Sequence, residues 1–158
     1  MTLEVELRLR RHTPACTASA TDRLIQRVRT LEQTGRVDTV RVETWDCVRP
    51  GVQRHAGDLS VIGRFARWAD DNDLCLEPGF KRRQVSSLVE SGTHLEVVVP
   101  LACLAVYEEG DLRTVAPCSN GETVATVDDV VTRLERGEVS PGLEPETGVG
   151  AALADLTA

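Results

Sequence analysis

The first pattern in the chain is a strict alternation of apolar and polar residues over residues 3–10, LEVELRLR. The leucine and valine positions fall on one side of an extended chain, and the glutamate and arginine positions fall on the other. This period of two predicts a half-buried β-strand.

A helical period follows after a loop that contains Pro14. The apolar stripe consists of Leu24, Ile25, Val28 and Leu31. Ser19 is the predicted N-cap, and Gly35 fits the position just after the helix. Residues 37–45, VDTVRVETW, are β-branched and alternating, which predicts a second strand. Strand, helix and strand form one βαβ unit, whose strands we expect to be parallel.

The next patterns predict a second helix and then an antiparallel region. Asp58 is the predicted cap of the helix LSVIGRFARWADDN. Residues 80–89 are polar and basic and suit an edge strand. Residues 94–107 are so apolar that we expect burial on both faces, with a bulge or break at Pro100. Further short strands lead to a last helix that begins in a capping-box-like arrangement of Thr126 and Asp129.

This order predicts an α+β fold: a two-layer, ferredoxin-like sandwich with a mixed, mostly antiparallel sheet and helices mainly on one face. Residues 1–138 are predicted to form a single domain. Residues 139–158 are acidic and contain proline and glycine, and we expect them to be a mobile tail. A two-layer domain leaves one sheet face open, so we also expect a homodimer.

Charge refines the picture. The chain has 158 residues with 25 acids and 18 basic residues, and its net charge is −7. Lys81 is its one lysine. Near-absence of lysine with excess acid is typical of halophilic proteins, because acids hold water and salt screens their repulsion. The charged N-terminus and the lack of a long apolar run predict a cytoplasmic protein with no membrane contact.

Motifs for chemistry are sparse. The cysteines are spaced too widely for a structural metal site, and no phosphate-binding loop occurs, so we predict no cofactor. Cys118, with Tyr107 or His55 nearby, is the best candidate for an alternative function as a small enzyme or ligand-binding domain. A pocket around Cys118 favours that alternative, and burial of Cys118 in the core argues against it.

The arginines are the candidate binding residues. Residues 1–55 hold ten arginines against seven acids, a net +3, whereas the remainder holds eight basic residues against 18 acids, a net −10. We therefore predict phosphate contacts by a set of N-terminal arginines, with residues 81–83 as a further basic cluster. The set is Arg8, Arg10, Arg11, Arg23 and Arg27. Scatter of these arginines over opposite faces would contradict a shared surface.

Tryptophan suggests a different kind of contact. Trp45 lies opposite Val40 and Val42 in the alternation of its strand, so we expect it on a helix-free face or at an interface. A structural or adaptor protein that acts through Trp45 and the apolar central strand is a third hypothesis. Its protein partner is not identified by the sequence.

Whole segments of the chain carry a resemblance. The segments are TDRLIQRVRTLEQTGRVDTVRVETW, RFARWADDNDLCLEPGF and VVVPLACLAVYEEGDLRTVAPCSNGETVATVDDVVTRLERG. Over roughly residues 3–137, the chain resembles a haloarchaeal family usually labelled "HTH domain protein". The resemblance implies a haloarchaeal source, a role in transcription regulation and DNA as a partner. The functional hypothesis is a non-enzymatic regulatory protein.

Overall fold

A computed structural model describes residues 2–11, 14–77, 79–86 and 92–138. The predicted tail at 139–158 lies outside these described residues. The strands are β1 Leu3–Arg10, β2 Thr39–Trp45, β3 Lys81–Ser86, β4 Thr93–Val98, β5 Ala102–Glu108, β6 Asp111–Ala116, β7 Cys118–Ser119 and β8 Val124–Ala125. The helices are α1 Ala18–Gln33, α2 Ala56–Asp71 and α3 Val127–Glu135.

The main sheet has four strands in the order β2-β1-β5-β6. β1 and β2 are parallel, which confirms the predicted βαβ unit, whereas β5 and β6 continue the sheet in antiparallel fashion. The α+β class and the mixed, mostly antiparallel sheet are therefore confirmed. The ferredoxin-like detail is not confirmed.

The apolar face of β1 packs under α1 and α3. Leu7, Val28, Leu31 and Val131 are each at most 2% exposed in this first core. The alternation of β1 was thus a correct guide to its buried side. Two of the three described helices lie on this face, which agrees with the prediction that the helices lie mainly on one face.

The opposite face of the sheet is covered by α2 and by the β3–β4 hairpin. Phe65 and Trp68 of α2 join Phe80, Val97 and the second-face residues of β5 in a second core. The prediction that this face is free of helices is wrong. β5 is central and apolar because it contributes to both cores: Leu104 packs in the first and Ala105 in the second.

Local signals decide where the elements begin and end. Pro100 separates β4 from β5, and the two strands belong to different sheets. Thr126 and Asp129 form the predicted capping box of α3. α1 and α2 begin before their predicted caps, because each continues directly from a one-turn 3₁₀ helix, Ala15–Thr17 and Gln53–His55.

Candidate nucleic-acid interface

A basic two-stranded ribbon is the most distinct charged feature of the described surface. β3 and β4 pair only with each other as named strands, and β4 is tied to the rest of the molecule by a bridge between Val48 and Val97. Lys81, Arg82 and Arg83 occupy consecutive exposed positions of β3. A ribbon of this kind fits the major groove of B-DNA, which is about 12 Å wide.

The strand register divides these cations between the two sides of the ribbon. Arg82 is opposite Val97, whereas Lys81 and Arg83 are opposite Val98 and Glu96. Arg83 is paired with Glu96 at 2.7 Å, and this hydrogen bond raises the pKa of the guanidinium. Lys81 and Arg82 form no ion pair with any described residue, so their charges face solvent.

Two arginines at the end of β1 lie beside the base of the ribbon. The Arg10 guanidinium donates to the carbonyl of Val99 at 2.9 Å, one residue beyond β4. Arg11 follows Arg10 and is half exposed, with an ion pair to Asp46 at 2.9 Å. We call Arg10, Arg11, Lys81, Arg82 and Arg83 together the basic ribbon surface, which includes both sides of the ribbon and the adjoining end of β1.

Arg8, from the same strand, is held by contacts within the protein instead. Its guanidinium lies 3.1 Å from the buried carboxylate of Glu6 and 3.6 Å from Asp58 of α2. Its guanidinium carbon also lies 4.9 Å from the centre of the Trp45 ring. Only 14% of the Arg8 side chain is exposed, so it is poorly placed to contact a phosphate.

Arg23 and Arg27 are on α1, which covers the other face of the sheet. Arg27 bridges to α3, where it pairs with Asp128 and, at 2.9 Å, with Glu135. The hydrogen bond from Arg27 lowers the pKa of Glu135. Arg23 is exposed and donates to Ser19. The five arginines singled out from the sequence therefore lie on both sides of the sheet and do not form one continuous surface.

Trp45 is part of the second core. It is 1% exposed and makes an edge-to-face contact with Phe80, with ring centres 6.1 Å apart. Its indole N–H has no hydrogen-bond partner among the described residues. The ring is covered by the chain itself, so it offers no surface to a second molecule in this conformation.

Cys118 does not lie in a reactive environment. It is 1% exposed, and burial raises the pKa of its thiol to about 11. Arg133 acts on the thiol in the opposite direction and more weakly than burial does, and the Nδ1 atom of His55 accepts a hydrogen bond from the backbone N–H of Arg49. A buried thiol that stays protonated is a poor nucleophile. Burial of Cys118 in the core was the result expected to argue against a site built on this thiol, so that hypothesis is wrong.

Within the described residues, no group of three His, Cys, Asp or Glu residues is arranged to hold a metal ion. The described helices include none with the length and apolarity needed to cross a bilayer.

A cluster of exposed cations on one element, as on this ribbon, is the electrostatic feature that nucleic acid attracts. In comparisons with known proteins, the family model described as "Helix-turn-helix domain" matches residues 1–139. The chain belongs to this helix-turn-helix domain family, which confirms the resemblance seen in the sequence. Helix-turn-helix domains bind DNA, so membership supports a DNA-binding regulatory role. Neither the search of curated proteins nor that of solved structures found a significant match.

The family's name describes a pair of helices joined by a short turn, one of which lies in the major groove. In the described part of the chain, residues 34–55, which include β2, separate α1 from α2. Residues 72–126, with six strands, separate α2 from α3. The described helices therefore offer no such pair, and the ribbon is the element with the dimensions and charge for a groove.

Sequence reasoning noted the cluster at residues 81–83 but did not include it among the binding residues. The signal was present: the one lysine of the chain stands next to two arginines in a polar strand. The positive net charge of the N-terminal third directed the prediction to the arginines there instead. A net charge does not show which arginines form ion pairs with acids inside the protein.

Proposed function

We propose that this protein is a DNA-binding regulator that contacts DNA through the basic ribbon surface. The observation that carries the proposal is the pair Lys81 and Arg82, two exposed cations without an ion pair among the described residues, on a ribbon of groove-filling width. Family membership supports the DNA-binding role, and the ribbon supplies the element to perform it.

Charge distribution supports this surface over the others. The basic ribbon surface holds five cations, and the acids paired with it are Asp46 and Glu96. DNA is attracted by such a local patch even when the whole protein is acidic. Arg8 and Arg27 are each bound to two carboxylates, so their charges are largely neutralised inside the protein.

Gln84 extends the patch along β3 and is also exposed. Glutamine reads adenine in the major groove by a bidentate hydrogen bond, whereas lysine and arginine read guanine or bind phosphate. We propose that Lys81 and Arg82 position the ribbon on the DNA backbone from its two sides and that Gln84, which shares a side with Arg82, contacts base edges.

The test is fluorescence anisotropy with a labelled duplex at KCl concentrations from about 0.3 to 2 M, where the Debye length falls from ~6 to ~2 Å. The ribbon variant is Lys81→Ala/Arg82→Ala. The matched control is Arg23→Ala/Arg29→Ala, which removes two exposed arginines from α1. Circular dichroism at each salt concentration confirms that both variants are folded.

We expect the ribbon variant to bind more weakly and to flatten the plot of log K against log[KCl] by roughly 2, since each phosphate contact contributes about 0.9 to the slope. The control is expected to retain the wild-type slope. If the control variant loses affinity for DNA and the ribbon variant binds as tightly as the wild type, the proposal is contradicted and the DNA contact is assigned to α1.

We also propose that the protein is a non-enzymatic homodimer of the cytoplasm of a halophilic archaeon. The acidic, lysine-poor composition supports the halophilic origin. The outer edge of β2 supports self-association, because this strand pairs with β1 on one side and with no other described strand on its outer side. An edge of this kind presents free backbone groups to a second copy. Light scattering coupled to size exclusion in 2 M KCl gives the mass: 17.2 kDa for a monomer and twice that for the proposed dimer.

A further inference from the structure

A polar pocket of about 380 Å³ lies on the side of the main sheet that α2 covers. Its volume falls within the range of roughly 300–1,000 Å³ that is usual for small-molecule sites. The side chains that line it come from three strands and one helix: Glu4, Glu6 and Arg8 of β1, Arg41 of β2, Tyr107 of β5 and Arg64 of α2. Every one of them is charged or carries a hydroxyl group, so the pocket fits a polar molecule and not an apolar one.

The strand register explains why these side chains converge. Glu4 lies opposite Tyr107 of β5, and Glu6 lies opposite Arg41 of β2. Residues that are opposite each other in a sheet project on the same side, and so do alternate residues of one strand. The polar positions of β1 therefore face the pocket, whereas its apolar positions face α1 and α3.

Part of the charge in the pocket is already used inside the protein. The carboxylate of Glu6 is bound by Arg8 at 3.1 Å and lies 3.6 Å from the guanidinium of Arg41. Arg8 also lies 3.6 Å from the carboxylate of Asp58. These two acids and two arginines balance each other, so the set is neutral without a ligand.

The two remaining charges of the pocket have opposite signs. Glu4 and Arg64 form no ion pair with any described residue, and they do not pair with each other. An anionic ligand would satisfy Arg64 and leave Glu4 unpaired beside it, whereas a cationic ligand would do the reverse. A molecule that carries both charges satisfies both residues.

Tyr107 adds a hydrogen-bond donor to the pocket. Its hydroxyl forms no hydrogen bond with a described residue. Burial, followed by the negative charge of Glu6, raises the pKa of this phenol. The phenol therefore stays protonated at neutral pH and can donate to a carboxylate oxygen, which is an acceptor.

We propose that this pocket binds a small zwitterion, namely a free α-amino acid with a polar side chain. Its ammonium group pairs with Glu4, and its carboxylate pairs with Arg64 and accepts a hydrogen bond from Tyr107. The polar side chain of the ligand fills the rest of the pocket. The pocket shares no residue with the basic ribbon surface, so the proposal is independent of DNA binding.

The first experiment compares a zwitterion with two analogues that each lack one of its charges. Isothermal titration calorimetry, at the lowest KCl concentration that preserves the fold, uses L-glutamine, 4-carbamoylbutanoate without the ammonium group, and 4-aminobutanamide without the carboxylate. L-serine serves as a second zwitterion with a shorter side chain. We expect one L-glutamine per chain and an affinity about fivefold higher than for either analogue, because an exposed ion pair contributes up to ~1 kcal/mol. Equal binding of L-glutamine and its analogues, tighter binding of either analogue, or no binding of both amino acids overturns the proposal.

Variants then assign the two charges. Glu4→Gln removes the partner of the ammonium group and is expected to abolish the preference for L-glutamine over 4-carbamoylbutanoate. Arg64→Gln removes the partner of the carboxylate and is expected to abolish the preference for L-glutamine over 4-aminobutanamide. The matched controls are Glu43→Gln on β2 and Arg67→Gln on α2, since both residues are exposed and do not line the pocket. Circular dichroism confirms that all four variants are folded. If either pocket variant keeps the wild-type preference, or if a control loses it, the assignment is contradicted.

Discussion

Arg8 provides a sharp test of which arginines hold the fold and which contact DNA. Replacement by methionine keeps most of the apolar stem and removes the charge. Glu6 is 6% exposed, and its described cationic partners are Arg8 at 3.1 Å and Arg41 at 3.6 Å. The variant Arg8→Met therefore leaves a buried carboxylate with its weaker partner alone.

The magnitude follows from these contacts. Breaking a buried ion pair by removing one partner costs about 3–5 kcal/mol, and Arg41 reduces this cost because it remains within reach of Glu6. Loss of the contact with the Trp45 ring adds about 0.5–1 kcal/mol. We expect a total of about 3 kcal/mol, or a fall in Tm of roughly 9 °C for a domain of this size.

The assay is urea unfolding in constant 2 M KCl, followed by tryptophan fluorescence. Urea is uncharged, so the ionic strength stays fixed, and both Trp45 and Trp68 are buried reporters. The double variant Glu6→Gln/Arg8→Met removes the unpaired charge, and we expect it to recover about 2 kcal/mol of the loss. Arg23→Met is the exposed control, with an expected change within about 0.5 kcal/mol.

Arg8→Met is expected to leave DNA affinity unchanged under conditions where it is folded. A destabilisation below about 1 kcal/mol together with a collapse of DNA binding refutes the reasoning, because that combination marks a phosphate contact and not a structural ion pair.

Three further predictions address other parts of the fold. Glu135→Gln is expected to destabilise the protein by about 0.5 kcal/mol at pH 7, since the pair with Arg27 is partly exposed. The pKa of Glu135 is lowered in the folded state, so its contribution to stability is present above its pKa in the unfolded chain and is lost as the pH falls through its pKa in the folded protein. Thermal unfolding at several pH values is therefore expected to show the variant and the wild type converging in stability in acid. Thr126→Ala removes the cap of α3 and is expected to cost ~1 kcal/mol in urea unfolding, whereas Thr126→Ser, the control, keeps most of it. Cys16 and Cys75 are exposed and Cys103 and Cys118 are buried, so reaction with a thiol reagent at pH 8 is expected to be fast at the first two and slow at the other two until urea is added. Fast reaction of Cys118 in the folded protein contradicts its burial.

Features that depend on neighbouring residues were visible in the sequence. The alternation of β1, the break at Pro100 and the capping box at Thr126 each depend on a few positions close together in the chain. Local sterics and hydrogen bonds decide such features, so pattern reading located them correctly.

Features that depend on which surfaces meet were not visible. The period of α2 shows that one side is apolar, but it does not show which face of the sheet that side covers. This choice buries Trp45, which the alternation alone left exposed. The one available signal for the role of Arg8 was Glu6, an opposite charge two residues earlier on the same side of the strand.

The central claim is that DNA contacts the β3–β4 ribbon and not α1, and NMR chemical-shift mapping with a DNA duplex tests it most directly. A chain of 17.2 kDa, even as the proposed dimer of twice that mass, is small enough for backbone amides to be followed during a titration. The account predicts that the largest shifts occur at Lys81, Arg82, Arg83 and Gln84, with little change over Arg23–Arg29. Large shifts confined to α1, with an unperturbed ribbon, would contradict it.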